Sequence, residues 1–227
     1  MIDYFKISKS PFFSLIITIP LFIIYELGIF YAQKNEISTL KNGADVIIED
    51  ILSFFGFSIF YTLSFFLLFF ALFFSWKHKK DFKSLKLRFS YFILFLIESV
   101  LYSLLLVVII KSIPLLIEFK SMSYFDLTLL IGAGIYEELF FRVILITFFT
   151  KILQFIFTNS SKFFWIPIIL SSIIFSLFHF IGIDTFSQDA FTLRFIGGIY
   201  LALVYHFRGF AMASVTHSLY DIIVFFS

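Results

Sequence analysis

The sequence predicts an all-α fold, a polytopic bundle of about seven transmembrane helices, with an eighth if one long apolar stretch is broken. Three observations predict it. Of 227 residues, 61% are hydrophobic and 14% are charged, whereas a soluble domain runs at roughly 45–50% apolar and about 25% charged. Apolar runs long enough to cross a bilayer recur along the chain, and the mean hydropathy is +1.04. The segments between those runs alternate in charge. Together these features argue against a soluble enzyme, a disordered chain or a nucleic-acid binder. The net charge of +2 is too small to call for a polyanionic partner. Cysteine is absent, which excludes disulfides, thiolate metal sites and a cysteine nucleophile.

A bilayer core about 30 Å thick needs roughly 20 apolar residues in a helix. That ruler gives a first span from Phe12 to Tyr31 and a second from Ile51 to Trp76. The third covers Tyr91 to Ile113 and stops at Pro114, and the fourth runs from Phe125 to Phe149. The fifth covers Phe163 to Ile181, the sixth Phe191 to Phe207 and the seventh Phe210 to Phe226. The stretch from Phe125 to Phe157 is long for one span, so a break or a surface helix is expected near Lys151. The first span reads as retained and not as a signal peptide, because its apolar run is too long and no small-residue cleavage site follows.

Charge sets the orientation. Lys6 and Lys9 precede the first span, and the first loop is acidic on balance, with Glu36, Asp45, Glu49 and Asp50 against Lys34 and Lys41. The second loop is basic, with Lys77, Lys79, Lys80, Lys83, Lys86 and Arg88 against Asp81. The third holds Glu118, Lys120 and Asp126, the fourth Lys151 and Lys162, the fifth Asp184 and Asp189, and the sixth Arg208. Basic loops face the cytoplasm. Seven spans then satisfy the rule at every loop, with the N-terminus inside and the C-terminus outside, in a membrane taken to be the bacterial cytoplasmic one.

Ionisable groups inside spans are costly unless paired or facing a cavity. Those here are Glu26, Glu98, Glu137, Glu138, Arg142, His179, His217 and Asp221. Glu138 and Arg142 are four apart, so they share a helical face and can pair. Glu137 is turned about 100° away and can face a cavity. His217 and Asp221 are also four apart, as are Phe175 and His179. Depth agrees: Glu137 lies roughly 18 Å from the outer end of the fourth span and His179 about 24 Å from the inner end of the fifth. His217 and Asp221 lie about 10 and 16 Å from the inner end of the seventh. One site in the middle of the membrane can collect them all.

The chemistry this set suits is activation of water. A carboxylate shielded from bulk water can serve as a general base. His179 can hold the same water. His217 can donate to an oxyanion forming on an attacked carbonyl, with Asp221 fixing its tautomer or orientation. Two His and a carboxylate also form a known catalytic zinc arrangement, which leaves zinc on Glu137, His179 and His217 as the alternative. The helical zinc motif HExxH is absent, and the metal-free reading with no cofactor is preferred. Ser171, Ser172, Ser214 and Ser218 lie in no GxSxG or SxxK setting that would support a serine nucleophile.

Glu137-Glu138-Leu139-Phe140-Phe141-Arg142 reads as EExxxR, Phe175 to His179 as FxxxH, and His217 to Asp221 as HxxxD. In that order, on successive C-terminal helices, these motifs resemble the signature of the CAAX protease and bacteriocin-processing (CPBP, or Abi) intramembrane protease family, which includes the type II CAAX prenyl endopeptidases. The resemblance covers residues 125–227 and marks them as a catalytic helical core, with residues 1–124 as N-terminal transmembrane helices and loops of the same membrane unit. It implies an intramembrane endopeptidase in which Glu137 and His179 activate water, His217 serves the oxyanion, and Glu138 and Arg142 support the site. Asp221 stands where the family often has Asn. An ionised Asp cannot donate to an oxyanion, so there Asp221 is expected to act as a protonated acid or by orienting His217. The implied substrate is a peptide or a membrane protein, met in the lipid bilayer.

Each motif by itself has a structural reading. Glu138 with Arg142 can be a bundle ion pair, His179 a hydrogen-bonded interior residue, and His217 with Asp221 an interhelical clamp. Their combination favours the site. Glu26 is expected to reach the interface, Glu98 to pair with a basic group across the bundle, and Lys111 and Arg194 to snorkel. Gly132-Ala133-Gly134 and Gly197-Gly198 read as close helix contacts. Two other functions compete: a non-catalytic scaffold or immunity-type protein with the same fold, and a proton-coupled transporter, for which no inverted repeat is visible.

Overall fold

The computed structural model describes residues 2–34, 41–54, 56, 88–111, 121–157, 160–181 and 185–227. Among these residues every long regular element is a helix. In chain order they are α1 (Ile2–Ser8), α2 (Pro11–Lys34), α3 (Gly43–Phe54), α4 (Phe89–Lys111), α5 (Tyr124–Ile156), α6 (Trp165–Phe178), α7 (Gln188–Arg208) and α8 (Phe210–Phe225). Four stretches are long and apolar enough to cross a membrane: Pro11–Ala32, Phe89–Ile110, Tyr124–Ile156 and Gln188–Arg208. They correspond to the first, third, fourth and sixth expected spans. The fifth and seventh appear as the shorter apolar helices α6 and α8, of 14 and 16 residues. The second expected span and the basic loop after it lie almost wholly outside the described residues. The chain is an integral membrane protein built as a helical bundle.

The expected break near Lys151 is not there. Helix α5 runs unbroken through Lys151 to Ile156, 33 residues in all. Its irregularity lies earlier, where Ala133–Glu137 and Leu139–Leu145 are wound as π-helix on either side of Glu138. A π-turn adds a residue and loosens the backbone ladder, and such turns often mark functional sites. Inside a membrane the freed carbonyls need partners from neighbouring helices. The Ser171 hydroxyl of α6 donates to the Phe141 carbonyl at 2.6 Å. The start of α5 is set by a capping box, in which Ser123 accepts from the Asp126 N–H at 3.0 Å and the Asp126 carboxylate accepts from the Ser123 N–H at 2.9 Å.

Helix α8 is pressed against α5 at Gly134. A Cβ there would stand 2.6 Å from the Ser214 carbonyl oxygen and 2.8 Å from the Ser218 nitrogen, and would overlap the Ser218 hydroxyl. Backbone atoms cannot rotate away, so Gly134→Ala must push α8 off α5. The expected cost is about 1–3 kcal/mol, read as a lower Tm in detergent, and the shift also separates the polar residues that the two helices bring together. Gly198 of α7 is a second close contact, against Ser172 and Phe175 of α6. The small-residue pairs thus act as the helix contacts expected of them.

Two apolar clusters hold the bundle. One gathers Tyr4, Phe13, Phe95 and Met212 from α1, α2, α4 and α8. The other gathers Tyr25, Ile29, Ile48, Ile135 and Tyr136 from α2, α3 and α5. Beside the first cluster, Glu98 finds the basic partner expected for it. Arg208 Nε and Nη2 reach its two carboxylate oxygens at 2.5 and 2.6 Å, and Nη2 also donates to the Ser8 hydroxyl at 3.0 Å. The guanidinium lies over the Phe5 ring at 4.5 Å. Gly209 makes the one-residue joint between α7 and α8 at φ +87°, a conformation that suits glycine. Glu26, expected to reach the interface, accepts a hydrogen bond from the Tyr136 hydroxyl at 2.7 Å.

Candidate active site

Three helices deliver the polar residues. Helix α5 carries Glu137, Glu138 and Arg142, the end of α6 carries His179, and α8 carries His217 and Asp221. The structure brings all six together. Glu138 and Arg142 are fully buried, while the side chains of His179 and Asp221 are 28% and 21% exposed. The site therefore has a closed floor and an open side.

The floor is an ion pair locked between helices. Arg142 Nε stands 3.1 Å from Glu138 Oε2. This is an ion-pair distance, but the two atoms are not aligned for a hydrogen bond. Arg142 Nη2 donates to the Gly198 carbonyl of α7 at 3.4 Å, and the guanidinium stacks over the Phe175 ring at 4.5 Å. The other Glu138 oxygen accepts from Nδ1 of His217 at 2.9 Å. The group on His217 Nδ1 is thus Glu138. Asp221, expected to fix the tautomer or the orientation of His217, faces Nε2, with Oδ2 at 3.5 Å. The i to i+4 spacing places Asp221 on the ring's outer side, and the close approach of α8 to α5 turns the inner side to Glu138.

Helix α6 ends at Phe178, and His179 follows as its cap. His179 Nδ1 donates to the Phe175 carbonyl at 2.8 Å. A carbonyl only accepts, so Nδ1 carries a proton and Nε2 is the ring nitrogen turned toward the site. Phe175 touches His179 at 4.8 Å, His217 at 6.0 Å and Phe141 at 5.1 Å between ring centroids. The aromatic four residues before His179 in the sequence motif thus has a physical role: the ring fills the space between both imidazoles and Arg142.

Glu137 points toward both imidazoles. Its Oε2 is 3.8 Å from His179 Nε2 and 4.0 Å from His217 Nε2. That oxygen is buried and has no hydrogen-bond partner among the described residues. Its other oxygen, Oε1, accepts from the side-chain amide of Asn42 at 3.1 Å. Asn42 stands at the start of α3 and was not singled out by sequence. The one signal it offered was that of a helix cap, an Asn-Gly pair before an amphipathic run. Its neighbours also form a network: the Tyr25 hydroxyl donates to Asp45 at 2.9 Å, and the Asn42 N–H donates to that hydroxyl at 3.2 Å. Burial, offset in part by Lys41, pushes the Asp45 carboxyl up to about 7.

Residues 119–223 match the profile of a protein family described as Type II CAAX prenyl endopeptidase Rce1-like. The match takes in all six residues above and agrees with the resemblance carried by EExxxR, FxxxH and HxxxD. This part of the chain is similar to that family. No curated protein and no solved structure matches the chain.

Proposed function

We propose that the chain is an intramembrane endopeptidase that hydrolyses a peptide bond with a water activated by Glu137 and His179. The observation that carries this reading is the gap at Glu137. Its Oε2, without a hydrogen-bond partner among the described residues, lies 3.8 Å from one imidazole nitrogen and 4.0 Å from another. A single water bridges such a gap with hydrogen bonds of about 2.8 Å to each side. Glu137 Oε2 and His179 Nε2 are both acceptors, so the water donates both its protons and turns its lone pairs outward to a carbonyl carbon.

In the reaction the water oxygen attacks the scissile carbonyl as Glu137 takes its proton. The carbonyl oxygen becomes an oxyanion and is met by His217 Nε2–H. Because Nδ1 of that ring donates to Glu138, donation from Nε2 requires both ring protons, with Glu138 and Asp221 supplying the countercharge. Collapse breaks the C–N bond, and Glu137 returns the proton to the leaving amine. Asp221 holds Nε2–H at rest and gives it up to the oxyanion.

Zinc was the alternative use of Glu137, His179 and His217. A tetrahedral ion with bonds of about 2.0–2.1 Å needs its ligand atoms roughly 3.3–3.4 Å apart. The distances here are 3.8 and 4.0 Å, and among the described residues no group of three His, Asp or Glu is placed to hold an ion. We therefore route no step through a metal. The test is cleavage of a peptide library by purified protein in liposomes, with and without chelator, alongside metal analysis. Cleavage that survives chelation is expected. Loss on chelation with recovery on added zinc would overturn the metal-free mechanism.

The seven-span topology, with the N-terminus in the cytoplasm, the C-terminus outside and the bacterial cytoplasmic membrane as location, belongs to the same proposal. Its support is the charge alternation of the loops. The substrate is then a peptide or membrane-protein segment, approaching from the open side at His179 and Asp221.

A further inference from the structure

We infer that Asn42 is a positioning residue for Glu137, holding one carboxylate oxygen so that the other is presented to the two imidazoles. The inference rests on the water-activating role of Glu137 proposed above. Three attachments fix Asn42. Its Oδ1 accepts the Ala44 N–H at 2.9 Å, which caps α3. Its backbone N–H donates to the hydroxyl of Tyr25, a fully buried side chain, at 3.2 Å. The next residue, Gly43, lies so close to Phe178 that a Cβ would stand 2.9 Å from the ring. With the backbone and Oδ1 held, the amide nitrogen is aimed at one acceptor, Glu137 Oε1, at 3.1 Å.

The contact has a consequence for the reacting atoms. Glu137 closes the first of the two π-helical windings of α5, where the backbone ladder is loosened. The hydrogen bond that the Asn42 amide donates to Oε1 pins the rotation of the carboxylate. Oε2 then lies within one water of both His179 and His217. Asn42 touches neither the water nor the substrate in this scheme, and the start of α3 acts as a strap from Glu137 to Phe178, the residue before His179.

The competing role is that of a simple helix cap. Asn42→Ser keeps a capping oxygen but is too short to reach Glu137. Asn42→Asp keeps the shape and the capping oxygen but has no donor, and it sets a second carboxylate against the first. On a peptide that wild type cleaves, both variants are expected to keep KM and lose kcat by about 10- to 100-fold, with the larger loss in Asn42→Asp. An activity-free arm measures Tm in detergent for Asn42→Ala, Glu137→Ala and the double variant. Contacting residues give shifts that do not add, and that is the expected result. Wild-type kcat in Asn42→Ser overturns the inference, as do additive Tm shifts. Glu137→Gln is assayed beside them: if it is inactive while Asn42→Ser is fully active, only the positioning role fails. If Glu137→Gln is also fully active, the proposed enzyme mechanism fails with it.

Discussion

Glu137→Gln is expected to lower kcat/KM by about 10²–10⁴-fold, the usual contribution of a general base, while the protein inserts and melts like wild type. Glutamine has the same shape. Its amide oxygen can still accept from Asn42, now at 3.1 Å from Oε1, so the strap at α3 stays in place. The change removes the basic oxygen that faces His179 and His217. The neighbouring ion pair is untouched, because Arg142 and His217 both lean on Glu138. The measurement is steady-state cleavage in liposomes, with Tm as a control for folding. A fully active Glu137→Gln would sink the endopeptidase mechanism. Lost cellular function with no cleavage by wild type on any peptide would favour the scaffold reading, in which the polar network only holds the fold.

Arg142→Ala is expected to be the most destabilising single change at the site, at about 3–5 kcal/mol, because it strips a fully buried carboxylate of its guanidinium partner and leaves it only His217. Glu138 and Arg142 have no exposed side-chain surface. The variant loses the ion pair, the hydrogen bond to the Gly198 carbonyl and the stacking on Phe175 together. Helices α5, α6 and α7 meet through that one side chain. Lysine is no substitute, since it lacks the planar fork that reaches a carboxylate, a carbonyl and a ring face at once. The test is Tm and yield in detergent. The double variant Glu138→Ala with Arg142→Ala is expected to be less unstable than the two single shifts summed, since no lone charge remains. A wild-type Tm for Arg142→Ala would show that the pair contributes nothing to the fold.

These two variants separate chemistry from architecture among neighbouring residues of one helix. Glu137 is expected to matter for rate and little for stability. Arg142 is expected to matter for both, since activity falls when the helices that carry His179 and His217 come apart. Gly134→Ala should resemble Arg142→Ala in kind, because it moves α8 and with it His217.

Much of this was legible in the sequence for one physical reason. A polar side chain inside a membrane span is expensive, so each one that occurs carries information. Glu137, Glu138, Arg142, His179, His217 and Asp221 stood out against apolar surroundings, and their order and spacing placed them on three helices at one depth. The close contacts at Gly134 and Gly198, and a basic partner for Glu98, were likewise readable from composition and burial cost. Tertiary structure decided the pairings. Periodicity of 3.6 fixes which residues share a face of one helix, but not how one helix is rotated against another. Helix α5 is π-wound on either side of Glu138, and there Glu138 meets His217 Nδ1 while Asp221 faces Nε2. Arg208 came to Glu98 from the far end of α7, which no local pattern indicates. Asn42 stands in a connecting segment, where a polar residue costs nothing and so gives no signal. Only the packing of α3 against α5 and α6 turns a helix cap into a hydrogen bond on Glu137.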